Sequence, residues 1–173
     1  MNDKIDENDK KPLSPQIIGW REWVSLPDLN LPAIKAKVDT GAKTSSIHAF
    51  DITLQKNPGK KTYVHFKVHP LQSDTSIEVK CKAPLVDQRV VTDSGGHKDE
   101  RYVIKTWLYL GGMKKRVEVT LTNRETMKYR MLIGRAALKE FYIDPTQSYL
   151  TGKSQKQKSF FREVKLLAKT KKS

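Results

Sequence analysis

Asp39 stands at the end of an apolar stretch, Ile34 to Val38, and is followed at once by Thr40-Gly41-Ala42. A carboxylate placed at the end of a buried strand, in a tight glycine turn, carries a desolvation cost that calls for a purpose. Where water is scarce the charged form of an aspartate is disfavoured. A second aspartate beside it cannot ionise fully as well, so two such groups share a proton and titrate as a unit. One carboxylate can then take a proton from a bound water while the other donates to a substrate carbonyl oxygen. That is general acid–base hydrolysis of a peptide bond with no covalent intermediate. The tripeptide alone is also compatible with a simple turn, so the rest of the chain must decide.

A second element, Met131-Leu132-Ile133-Gly134-Arg135, lies far downstream and leads into Ala136-Ala137-Leu138. Together the two elements resemble the retroviral-type aspartic peptidases, in which a D-T-G-A turn packs against a later apolar-apolar-G-R segment of the same subunit. The resemblance implies that Asp39 is the catalytic residue. Thr40 would brace two active-site turns against each other, Gly41 and Ala42 would form the turn and its apolar exit, and Ile133, Gly134 and Arg135 would support them. Gly19-Trp20-Arg21-Glu22-Trp23, followed by Lys35-Ala36-Lys37-Val38-Asp39-Thr40-Gly41-Ala42, is similar to a bacterial retropepsin-like family first labelled ATP-dependent zinc proteases. This likeness covers about residues 17 to 150. The stretch from Tyr102 to Leu121 resembles the strands that follow the family's mobile flap. Asp93-Ser94-Gly95-Gly96-His97 would then be the flap tip, with Ser94, Gly95 and Gly96 able to close over substrate.

A chain offering one such turn needs a second carboxylate, and the expectation is a homodimer with Asp39 from each of two subunits at the two-fold axis. No cofactor is expected, and the partners are a protein or peptide substrate and a second copy. The family likeness also suggests a connection with ATP-grasp glutamate ligases that extend a ribosomal protein, making acidic or glutamate-tailed proteins the expected substrates. One departure stands out. Where the retroviral enzymes carry an acid that pairs with the arginine of the G-R element, this chain has Lys43, which would repel Arg135; Glu22 or Asp144 is then the expected partner of that arginine.

Rival readings are open to the same residues. Asp93-Ser94-Gly95 is a second D-S/T-G, as in two-lobed enzymes that draw both aspartates from one chain. It follows Asp39 by only half a domain's worth of sequence, however, and is succeeded by His97-Lys98-Asp99-Glu100-Arg101 instead of an apolar exit. Zinc would want about three His, Cys or carboxylate ligands. His65 and His69 fall on a strand, where four residues span about 13 Å, and His48, His97 and Cys81 are scattered, so no metal site is expected. The inactive alternative is a D-T-G domain serving as a protein- or nucleic-acid-binding module, although no RNP-like or helix-turn-helix pattern accompanies the basic charge.

The elements that must position these residues are short and mostly strand-like: Ile17 to Val24, Ala33 to Val38, Tyr63 to Val68, Ile77 to Lys82, Tyr102 to Leu110 and Arg116 to Leu121. In Val117-Glu118-Val119-Thr120-Leu121 apolar and polar residues alternate as a half-buried strand requires. Gly111-Gly112 marks a hairpin. The helix expected inside the domain is short, Arg135 to Phe141. The fold class is therefore mainly β, a retropepsin-like acid-protease β-barrel with one short helix. Residues 1–16 read as a flexible polar arm and 17–150 as the domain. Residues 151–173 read as a basic tail, with Phe160, Phe161, Val164, Leu167 and Ala168 at near-helical spacing and an acidic partner, RNA or a membrane surface as its possible contacts. The balance of 33 Lys+Arg against 19 Asp+Glu, a formal +14, favours anionic partners without choosing among them. The single cysteine forms no internal disulfide. With no apolar leader and no run of transmembrane length, the expected location is cytoplasmic.

Overall fold

Alternating burial along the chain sets eleven strands in the computed structural model, which describes residues 15–173. They are β1 Gln16–Gly19, β2 Arg21–Leu26, β3 Leu31–Val38, β4 Ser45–His48, β5 Phe50–Gln55, β6 Tyr63–Val68, β7 Val79–Thr92, β8 Lys98–Leu110, β9 Met113–Thr122, β10 Met131–Ile133 and β11 Phe141–Asp144. In β6, Val64, Phe66 and Val68 face the core while Tyr63, His65 and Lys67 face outward, the period of two that a one-sided strand imposes. The fold is mainly β, as expected.

Six strands close into a barrel in the order β2-β3-β10-β4-β9-β8, with Ser25 of β2 returning to Tyr109 of β8; β7, β6 and β5 extend the sheet from β8. Leu26, Ile34, Ile47, Ile104, Leu108, Val119, Met131 and Ile133 fill the interior. Each such side chain contributes about 1.5–3 kcal/mol by leaving water. The short β10 is the piece that positions the site. It lies parallel to β3, with Met131 opposite Ala36 and Ile133 opposite Val38, and antiparallel to β4 on its other side. Whatever follows Ile133 is therefore brought alongside whatever follows Val38.

Three expectations need correction. The stretch Ile17–Val24 is two strands, because β1 leaves to pair in parallel with β11 while β2 pairs with β3. The chain turns between them at Gly19, where an added Cβ would lie 2.5 Å from the Gln147 carbonyl oxygen. The helix expected over Arg135–Phe141 is a single 3-10 turn, Arg135–Ala137. Good helix formers lose there because Glu140 adopts a left-handed φ of 74° and Phe141 is claimed by β11. The strands expected from Ile77 and Tyr102 run on to Thr92 and start from Lys98, so that β7 and β8 form one long hairpin.

The one α-helix among the described residues, α1 (Gln155–Lys171), lies in the basic 151–173 segment. Ser154 and Gln157 cap it reciprocally. Val164 and Ala168 pack on Leu71 and Ile77, and Phe161 meets the edge of Trp23 at 4.9 Å between ring centroids. The lysines face outward. Of the polar arm expected over 1–16, only residues 15 and 16 are described, and Gln16 already belongs to β1.

An ion pair between Asp74 and Lys172, at 2.8 Å, ties the far end of α1 to the loop beneath it. The Lys172 ammonium, with the Ser76 amide at 2.9 Å, holds the Asp74 carboxyl well below the usual carboxylate range. A depressed folded-state pKa contributes stability above the unfolded value, near pH 4, and loses it as pH falls toward the depressed one. Asp74→Asn is therefore expected to lower Tm slightly at pH 7, with the gap to wild type closing as pH falls to roughly 2. Thermal unfolding of both proteins across that range checks it.

Candidate active site

Asp39 follows directly on β3 and its amide donates to the Ile133 carbonyl at 2.9 Å, which carries the β3–β10 pairing one residue into the turn. The Ala42 amide closes the turn on the Asp39 carbonyl, and Asp39 Oδ1 accepts from the Gly41 amide at 3.1 Å. A Cβ on Gly41 would stand 3.3 Å from that oxygen, so glycine leaves the carboxylate its place. The Arg135 amide donates to the Ala42 carbonyl at 2.9 Å, the Ala136 amide to the Lys43 carbonyl at 3.0 Å, and Arg135 Nη1 to the Thr40 carbonyl at 3.0 Å. With the bond from Asp39 to Ile133, the two segments are thus interlocked through four hydrogen bonds.

Gly134 allows this approach. An added Cβ there would fall 2.6 Å from the Thr44 carbonyl carbon, a backbone atom that cannot swing aside. Its buried amide donates to Ser45 Oγ at 3.1 Å. Ile133 is buried, Asp39 and Ala42 are half-buried, and Thr40 and Gly41 are exposed. The catalytic carboxylate expected from sequence therefore sits at the rim of a rigidly braced turn whose outer face is open.

Arg135 does not meet either acid named for it. Glu22 is fully buried, and its carboxylate accepts from the amides of Gly19, Leu150 and Thr151 and from the Thr151 hydroxyl. Asp144 accepts from the amide and hydroxyl of Thr146. Both acids are consumed by local backbone, and a carbonyl takes the arginine instead. Ser45 is a supporting residue that reasoning from motifs overlooked, and Glu22, expected beside Arg135, supports the β1–β2 corner instead. The signal for Glu22 was its parity: it shares the inward face of β2 with Val24 and Leu26.

Asp93, Ser94, Gly95, Gly96 and His97 form the tip of the β7–β8 hairpin. Asp93 Oδ1 accepts from the amides of Gly95 and His97, both at 2.9 Å, and these bonds, the one from His97 foremost, hold its pKa below the usual range. Gly96 takes the left-handed φ of 83° that the turn demands. Asp93 is thereby the cap of its own hairpin. Val86 and Val90 on this hairpin are 47 % and 64 % exposed, so the distal part projects from the barrel.

His48 and His69 come together in one stack with Phe50, at 6.3 Å between their own ring centroids, whereas His65, His97 and Cys81 have partners of their own. His65 meets Gln55, His69 meets the Ile77 carbonyl, and His48 accepts from the Arg124 amide, with burial pushing its pKa down. Burial raises the Cys81 thiol to about 12. Among the described residues no three His, Cys, Asp or Glu stand together as a metal site. No helix among them is long and apolar enough to cross a membrane.

A closed barrel with a D-T-G-A turn locked to a G-R segment defines the retropepsin-like class. Within that class the chain belongs to the RimB-like family: the family model described as retropepsin-like aspartic endopeptidase RimB matches residues 17–154. A crystal structure of a Legionella pneumophila protein of unknown function is similar over 80 % of this chain and 99 % of that one, with a TM-score of 0.66 and 29 % identity. Relatives titled probable alpha-L-glutamate ligase are 46 % identical in Shewanella pealeana, covering 79 % of this chain, and 43 % identical in Desulfotalea psychrophila, covering 84 %. The matched region makes up 30 % and 31 % of those two proteins.

Proposed function

We propose that the protein is an aspartic endopeptidase whose dyad is made by Asp39 of two copies, acting on acidic or glutamate-tailed proteins. The observation that carries the reading is the interlocked turn. It fixes Asp39 by its amide and Oδ1 while leaving the Thr40–Gly41 face open for an identical turn. In such a pair one Asp39 carboxylate accepts a proton from the water lying between them. The other, protonated, donates to the scissile carbonyl oxygen as the tetrahedral centre forms, and proton return to the leaving amine completes hydrolysis. Ser94, Gly95 and Gly96 at the hairpin tip would close over the bound peptide and exclude bulk water. The full-length relatives named as ligases support an acidic substrate, since a glutamate-adding domain and a hydrolase in one polypeptide would act on the same product.

The experiment is an unbiased peptide-library digest by the full chain, with and without EDTA. Asp39-dependent cleavage that survives chelation is expected, together with inhibition by a statine-type transition-state analogue. Activity lost on chelation and restored by zinc would replace the aspartic mechanism with a metal-dependent one. A library left intact would leave a binding module.

A further inference from the structure

Just beyond the two interlocked turns the structure has a cavity of about 560 Å³, within the size range of ligand pockets. Its lining includes Lys43 and Thr44, which follow the D-T-G-A turn, and Ala136 and Ala137, which follow Arg135. The other wall comes from the sheet: Arg89 of β7, Lys105 of β8, and Arg116 and Glu118 of β9. Four cations thus face one carboxylate. That carboxylate is already engaged, since Arg89 reaches Glu118 at 2.8 Å and Asp87 at 2.6 Å. Among the described residues no carboxylate lies within salt-bridge distance of Lys43, Lys105 or Arg116. Three cations without a carboxylate partner, Arg116 among them over the Trp107 ring at 5.4 Å, line one cavity and repel one another, and an incoming anion relieves that repulsion.

We propose that this cavity is the subsite that receives a carboxylate side chain of the substrate, with Lys105 and Arg116 as the residues that set specificity and Lys43 at the end nearest the scissile bond. The proposal rests on the peptidase reading and assigns its acidic preference to particular residues. Lys43 is four positions from Asp39, at most about 14 Å along an extended chain, so the recognised side chain lies within about four residues of the cleaved bond. Arg89, held by Asp87 and Glu118, shapes the wall. The small side chains of Ala136 and Ala137 leave the volume open.

Because the whole protein is strongly basic, the test must separate this cavity from general attraction. Full-length Asp39→Asn is titrated, at roughly 0.1 M salt, with fluorescein-labelled decapeptides of alternating Glu–Ala and of alternating Gln–Ala. The same titrations are run on Asp39→Asn carrying Lys105→Glu and Arg116→Glu, and on Asp39→Asn carrying Lys165→Glu and Lys169→Glu on α1. The Glu probe is expected to bind at least about tenfold tighter than the Gln probe. That preference should vanish with the cavity reversals and persist with the α1 reversals. Equal affinity for the two probes, or an equal loss from the α1 pair, overturns the proposal. Should the cavity reversals prevent folding, Lys105→Gln with Arg116→Gln replaces them with the same expected direction. The binding readout needs no catalysis. A wild type that leaves the unbiased library intact removes the peptidase reading, while the Glu-to-Gln preference still decides the subsite.

Discussion

Asp39→Asn is expected to remove hydrolysis, by on the order of 10³-fold or more, while leaving the fold intact. Asparagine is nearly isosteric with aspartate, and its Oδ1 can still accept from the Gly41 amide that now meets the carboxylate at 3.1 Å. The contacts that brace the turn use none of the Asp39 side chain: the Asp39 amide to Ile133, Ala42 to the Asp39 carbonyl, the Arg135 amide to the Ala42 carbonyl and the Arg135 guanidinium to the Thr40 carbonyl. None uses the side-chain charge. What the substitution deletes is the carboxyl group itself, and with it both the base and the acid of the proposed two-copy dyad. The side chain is half-buried at the rim, so the core is untouched and Tm should stay within a few degrees of wild type. Asp39→Ala is the poorer probe, because it also strips the Gly41 amide of its acceptor. Activity of Asp39→Asn near the wild-type level, on whatever peptide the wild type cleaves, would sink the aspartic mechanism.

The largest expected loss of stability comes from Glu22→Ala. Glu22 Oε1 accepts from the amides of Gly19 at 2.7 Å and Leu150 at 2.8 Å, and Oε2 from the Thr151 amide at 3.3 Å and hydroxyl at 2.9 Å. One buried side chain thus ties the β1–β2 corner to the segment that leads into α1. Alanine would leave three backbone amides and a hydroxyl in a dry site without acceptors, at a cost of about 3–5 kcal/mol. For a chain of this size each kcal/mol moves Tm by about 2–4 °C, so a fall of roughly 10 °C is expected. Glu22→Gln keeps one acceptor oxygen and should recover part of the loss. Urea unfolding of the three proteins measures it; an alanine variant as stable as wild type would mean that water satisfies these donors instead.

The placement of the D-T-G-A turn and of the G-R segment beside it was legible in the sequence because both are local. A strand ending in Asp39-Thr40-Gly41-Ala42 and a strand ending in Gly134-Arg135 each announce their geometry in a few residues, and one parallel ladder, Ile133 opposite Val38, brings them together. The strands with clean alternation, β6 and β9, were legible for the same reason. Where a residue's fate depends on a distant partner, local reasoning failed. Ala136 to Leu138 favour a helix, yet the pairing of Phe141 and Tyr142 with Gln16 and Ile17 stops it after one 3-10 turn. The charged residue expected beside Arg135 is a backbone carbonyl of Thr40, which no charge pattern reveals. The tail's helical spacing was visible, but its docking rests on Leu71 and on Ile77, which was expected to open a strand and instead lies ahead of β7. The basic cavity draws Lys43, Arg89, Lys105 and Arg116 from four separate stretches of chain. In the sequence these were four lysines and arginines among 33.

In the proposed enzyme two Asp39 carboxylates meet across a pair of identical turns, and subunit mixing tests that directly. Wild type is blended with increasing Asp39→Asn at a fixed total concentration above the dimer's dissociation constant, and the rate is followed on a peptide that the wild type cleaves. If a working site needs Asp39 from both copies, the rate falls as the square of the wild-type fraction, because only unmixed pairs are active. A rate falling in simple proportion to that fraction, with specific activity unchanged on dilution, would show that each chain works alone and would contradict the shared dyad.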